Sequence, residues 1–255
     1  MRWTIERLLE QLGPQPINRL DRPQMIDTDV GCSWTYTYPQ PLDVEATDAQ
    51  RARALLALGS AFRGLGVLGR RSPRSGLHLF VRPGVPKLEF ERPPNELDFM
   101  DLITRLARHA DRYEEVQLFL WLLLWFENDL GMFELRAVPD TCFTYVKTDS
   151  DTGRLELNVF FTHGLFAPRI WDHDNRWIAR LNQPILRHIL GKLRQALPEW
   201  EISWWDNIGT HGDPSKVGPE GYIVPPPADD EPPPDGDYLG ALSWFTVDED
   251  EEEDP

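Results

Sequence analysis

The chain has 255 residues, 41% of them hydrophobic, with ten tryptophans, enough for one substantial core and too apolar for a wholly disordered polymer. Its two cysteines, Cys32 and Cys142, exclude a disulfide scaffold and a multi-cysteine zinc site, and its longest apolar run, Val116 to Phe126 broken by Gln117, is too short to cross a bilayer. The formal net charge of −16 is a property of the tail, because residues 206–255 carry 15 acidic side chains against Lys216 alone, which leaves −2 for residues 1–205.

Residues 4–12 predict a first helix, closed by Gly13-Pro14, and Met1-Arg2-Trp3 leads into it without a signal-peptide pattern. A short strand is expected over Met25–Asp29 and another over Ser33–Tyr38. Thr47 is placed to cap a helix running to about Leu65, with Gly64 and Gly66 closing it. The strand Gly76–Arg82 follows, with Lys87–Glu91 pairing near it. Between Arg63 and Arg92 seven basic residues stand against Glu89 and Glu91, a stretch that reads equally as a phosphate-attracting patch and as a solvated loop.

Asn95 is expected to cap a helix through His109. Tyr113–Asn128, apolar and bounded by acids, reads as a buried helix. Met132–Val138 and Thr141–Thr148 predict strands, Asp149–Gly153 a hairpin turn, and Leu155, Leu157, Val159 and Phe161 alternate as one strand face. Pro184 suits the first turn of a helix ending near Ala196, and Glu201–Trp205 predicts a last strand. The expected fold is α+β, a mixed or antiparallel sheet with helices on one face, over residues 1–205. Residues 206–255 form an acidic, proline-rich tail. It carries an apolar island at 238–247 and seven consecutive acids from Asp248 to Asp254. Island and acid block together fit either a docking segment for a basic protein partner, through residues 238–255, or a solubilising tail. A soluble, cytoplasmic protein with no membrane partner is expected.

Strand alternation also groups the candidate chemistry. Asp27 and Asp29 share a face, as do His78, Phe80 and Arg82, and as do Glu134 and Arg136. Paired aspartates with a third acid suit two divalent cations, magnesium or manganese, in phosphoryl transfer. Glu134 is the leading third ligand and Asp140 the next. Arg74 and His78 are placed to contact a triphosphate. The His163 and Trp171–Asn175 group lacks a helical histidine pair, and Asp149–Gly153 lacks the spacing of a calcium loop.

Three of these segments, Met25-Ile26-Asp27-Thr28-Asp29, Ser72-Pro73-Arg74-Ser75-Gly76-Leu77-His78 and Met132-Phe133-Glu134, occur in an order that resembles the archaeo-eukaryotic primase superfamily, which includes the polymerase domains of end-joining ligases. The resemblance covers roughly residues 20–140 and rests on short motifs. It implies an RRM-like core and a metal-dependent nucleotidyltransferase acting on nucleic acid with nucleoside triphosphates. Asp27, Asp29 and Glu134 would then hold magnesium or manganese. His78, with Arg71, Arg74 and Arg136, would hold the nucleotide. The alternative expectation is a non-enzymatic interaction protein, an immunity-type inhibitor or accessory subunit, that binds a basic protein partner.

Overall fold

The computed structural model describes residues 31–68, 76–86, 88–90, 93–94, 97–127, 133–161, 166–167, 169–170, 173–174, 176–206 and 217–224. The expected helix at 4–12, the strand carrying Asp27 and Asp29, and the island and acid block of the tail lie outside these residues. In chain order the elements are β1 (Cys32–Thr37), α1 (Val44–Phe62), β2 (Gly66–Leu68), β3 (Leu77–Val81), α2 (Phe99–Arg108), β4 (Tyr113–Glu127), β5 (Phe133–Thr148) and β6 (Leu155–Phe161). Two small strands, β7 (Arg169–Ile170) and β8 (His173–Asp174), precede α3 (Arg176–Ala196). β9 (Glu201–Asp206) and the hairpin β10 (Val217–Gly218) and β11 (Gly221–Tyr222) close the order. The protein is α+β.

Seven strands form one antiparallel sheet in the order β2–β4–β5–β6–β1–β9, with β3 and β2 end to end along the same edge of β4. Period-two patterning explains the sheet. Cys32, Trp34 and Tyr36 of β1, Leu155, Leu157, Val159 and Phe161 of β6, and Cys142 and Val146 of β5 are buried, and their intervening neighbours are not apolar core. The helices cover this one face. α1 packs beside both α2 and α3, and their buried residues join the strand residues in a single core. Capping sets the helix starts: the Asp43 carboxylate accepts from Ala46 N at 2.8 Å and the Asp98 carboxylate from Met100 N at 2.9 Å. Thr47 therefore lies one turn inside α1, where its hydroxyl bonds back to Asp43 O at 2.6 Å.

The segment from Tyr113 is a strand, not the buried helix expected. Val116, Leu118 and Leu120 point into the core while Glu115, Gln117 and Phe119 stand on the other face. Beyond Leu120 five consecutive residues, Trp121 to Trp125, are all buried, because neighbours cover both sides of the strand there. A doubly covered strand and a buried helix give the same unbroken apolar run. The two strands expected over 132–148 are one. Register slips between Leu120 and Leu122, so that Leu120 pairs with Cys142 and Leu122 with Val138. Pro139, which lacks an N–H, falls in this irregularity rather than in the ladder. The Thr141 hydroxyl fills the gap, accepting from Leu122 N at 2.8 Å and donating to Val138 O at 3.0 Å.

α3 starts eight residues before Pro184, which lies inside the helix. Asn182, wholly buried on α3, accepts from Trp125 N at 2.8 Å and donates to Trp125 O at 3.0 Å. Its amide thereby pairs with one strand residue as a neighbouring strand would. The β10–β11 hairpin also belongs to the packed unit. Trp34 Nε1 donates to Gly218 O at 2.9 Å, Tyr222 packs edge-on against Trp34, and Val217 and Tyr222 are buried. The core thus reaches past residue 205, the boundary that composition led us to expect. Gly221, at φ +109°, sits where a Cβ would approach Leu186 Cδ2 to 2.9 Å.

Candidate functional site

The face of the sheet away from the helices carries the chemistry. Register aligns its side chains into three tiers running across the strands. In one tier Phe119 stands opposite Phe143, Phe143 opposite Phe160, Phe160 opposite Ser33, and Ser33 opposite Trp205. Phe119 and Phe143 rings lie 4.7 Å apart, a separation typical of attractive aromatic pairs. Gly31 makes room for this tier: a Cβ there would come within 2.2 Å of the Phe160 ring. Phe80 and Trp205 at the two edges of the face are 48% and 53% exposed, unusual for side chains of that size.

The second tier is polar: His78, Gln117, Tyr145, Asn158, Thr35 and Ser203 succeed one another across six strands. Asn158 donates to the Thr35 hydroxyl at 2.7 Å, and His78 packs at 5.2 Å from Phe119. The third tier runs Phe80, Glu115, Lys147, Glu156, Thr37, Glu201. Its three glutamates face a single lysine. Arg154 is engaged by the Glu201 carboxylate and, at 2.8 Å, by Tyr38 O. Gln117 Nε2 donates to the Glu115 carboxylate at 2.6 Å. Burial, then the charge of Asp149, holds the Glu156 carboxyl above its ordinary pKa, against the pull of Lys147 and Arg154. Burial and the surrounding Glu156, Glu115 and Asp149 carboxylates likewise raise the Tyr145 hydroxyl. With strands about 4.8 Å apart, the face spans roughly 24 Å across its six rows of strand.

Of the residues expected to form a catalytic set, His78 is on this face. Asp27, Asp29, Arg71 and Arg74 lie outside the described residues. Glu134 and Arg136 are placed by register only: Glu134 pairs with Phe126 and Arg136 with Leu124, whereas His78 pairs with Gln117. Nine positions along β4 separate the His78 and Glu134 rungs, roughly 30 Å at strand rise. The described residues therefore do not gather Glu134 and His78 at one site. Nor does any group of three or more His, Cys, Asp or Glu side chains among them come together as a metal site. Arg82 does not share the His78 face as expected. The ladder bulges between Phe80 and Val81, and Arg82 instead pairs with Asp48 of α1, which also takes Arg51.

Sequence reasoning missed the aromatic tier. The signal lay in the positions between the core residues: Phe143 between Cys142 and Thr144, and Phe160 between Val159 and Phe161. Aromatic side chains at outward strand positions are where a stacking or docking surface shows itself. Phe119 was hidden because its segment reads as a helix. Cys32 and Cys142 are buried and free, with burial raising both thiols above their ordinary range. No helix among the described residues is long and apolar enough to cross a membrane. No protein-family model, curated protein or solved structure matches the chain.

Proposed function

We propose that this chain is a non-enzymatic protein-binding module whose outer sheet face docks a basic partner segment. The single observation that supports this reading is the tier order: an aromatic row and a row of three glutamates with one lysine share one face, with a polar row between them. Apolar and guanidinium groups of a partner find rings to pack on and carboxylates to pair with. A helix-backed antiparallel sheet with outward aromatics is also how RRM-type domains stack single-stranded RNA. That use needs cationic contacts to phosphate, and here the charged tier is acidic, so the face favours a cationic protein. The overall charge of −16 steers the same class of partner.

The test is a titration of the full chain, followed by NMR, with three probes: an arginine- and valine-rich decapeptide, its glutamate counterpart and a ten-nucleotide thymidine strand. Shifts confined to outer residues such as Phe143, Tyr145 and Glu156, given by the arginine peptide alone and weakening with salt, are the expected result. Shifts given by the nucleotide strand alone would overturn it.

The second reading is the metal-dependent nucleotidyltransferase that the motif resemblance implies, and the position of His78 beside Phe119 on the outer face favours it. The separation of the His78 and Glu134 rungs along β4 weighs against it. This reading expects manganese- or magnesium-dependent extension of a primed strand, lost on joint Asp27→Ala and Asp29→Ala substitution while the fold is kept. Absence of any extension by the unsubstituted protein rejects it.

A further inference from the structure

Across β5, Lys147 has Glu115 directly opposite on one side and Glu156 on the other. A lysine so flanked is expected to pair with a carboxylate. Instead its ammonium sits over the Tyr145 ring, 4.9 Å from the centroid, and among the described residues no carboxylate lies within salt-bridge distance of it. Glu115 is held by Gln117. Glu156, half-buried, has no hydrogen bond or ion pair among the described residues. A seat for a cation, an aromatic floor with acids one rung along on either side, is thus filled by the protein's own lysine through the ring alone.

Resting on the docking reading above, we propose that Lys147 is a resident placeholder in this seat and that an arginine of the partner displaces it. The chemistry favours arginine over lysine as the incoming group. A guanidinium is planar and less strongly hydrated, so it stacks on Tyr145 while its remaining N–H groups fork to a carboxylate. Glu115 and Glu156 lie about 10 Å apart at their backbones, one strand spacing to either side of Lys147, and both carboxylates act on the Tyr145 hydroxyl, which leaves each within side-chain reach of a group held above that ring. Once displaced, the lysine has a flexible stem on which to swing its ammonium into water.

The experiment is calorimetric titration of the full-length protein, and of its Lys147→Met and Lys147→Gln variants, with the arginine- and valine-rich decapeptide and with its lysine counterpart. Both variants keep a stem over Tyr145 and remove the competing charge. Expected are an arginine preference in the unsubstituted protein and about tenfold tighter arginine-peptide binding in both variants. Tyr145→Leu is expected to abolish the arginine preference. Equal or weaker binding by both folded variants, with the unsubstituted protein still binding, overturns the placeholder role and leaves the docking reading standing. No binding of either basic peptide to any of the folded proteins overturns the docking reading itself, and the inference with it.

Discussion

At the scale of single residues, the outer face depends on small choices. Gly31 lets the Phe160 ring lie against the backbone, and any side chain there collides with it. Gly31→Ala is expected to cost ~1–3 kcal/mol by overpacking and to move Phe160 out of its tier, measured by urea unfolding and by the Phe160 ring resonances. Glu156 gives a pH signature of definite sign. Burial raises its folded pKa above the ordinary value, so between those two values the folded state holds a proton that the unfolded state has lost. On this account stability falls as pH rises through that window, and Glu156→Gln removes the slope. Binding of a cationic peptide changes in the opposite sense. It strengthens as pH rises through the raised Glu156 value, because the carboxylate is then charged. Urea midpoints and peptide affinities measured between pH 4 and 7 check both.

At the scale of elements, β4 is the decisive case. Its alternation of Val116, Leu118 and Leu120 with Glu115, Gln117 and Phe119 is the signature of a half-covered strand, but the apolar run that follows swamps it. A lysine scan separates the strand from a helix at this site. Val116→Lys and Leu118→Lys should each cost ~3 kcal/mol or more by burying an unpaired charge, whereas Gln117→Lys between them should stay within ~0.5 kcal/mol. Large losses at all three positions would falsify the strand. α3 teaches a related lesson. Pro184 marks a helix start by propensity, yet α3 continues through it from Arg176. Its buried Asn182 serves as the lateral partner of Trp125, a role visible only once β4 runs beside it.

At the scale of the whole molecule, one buried guanidinium ties distant parts together. Arg51 of α1 is 2% exposed and donates to Asp48 at 2.8 Å, to Thr148 at the end of β5 at 3.2 Å, and to Ala110 O ahead of β4 at 3.3 Å. Arg82, just past β3, shares the same aspartate. A helix and three strand ends thus meet around one guanidinium–carboxylate pair, Arg51 and Asp48. Burial disfavours the charged Arg51, which Asp48 offsets. Asp48→Ala leaves that guanidinium buried without its counter-charge and is expected to cost ~3–5 kcal/mol. Arg82→Ala removes only a partner that is itself 24% exposed, and should cost well under half as much. Chemical denaturation of the two variants gives the comparison directly, and a larger loss for Arg82→Ala would reverse the assignment of roles.

Local patterning carried much of this protein unaided. The α+β class, the strands of Cys32–Thr37, Leu77–Val81, Leu155–Phe161 and Glu201–Asp206, the turn at Asp149–Gly153 and the bodies of α1 and α2 follow from alternation, helical spacing and turn residues, which are properties of a few neighbouring positions. The site was legible only in fragments, since His78 stands out as a strand histidine while its neighbours on the face come from β4, β5, β6, β1 and β9. Strand identity within 113–127, the order of the sheet and the tiers of the outer face were decided by tertiary structure. An apolar run is indifferent to whether a helix or two flanking layers bury it, and a tier of four rings and a serine across five strands exists only after register brings residues 33, 119, 143, 160 and 205 abreast.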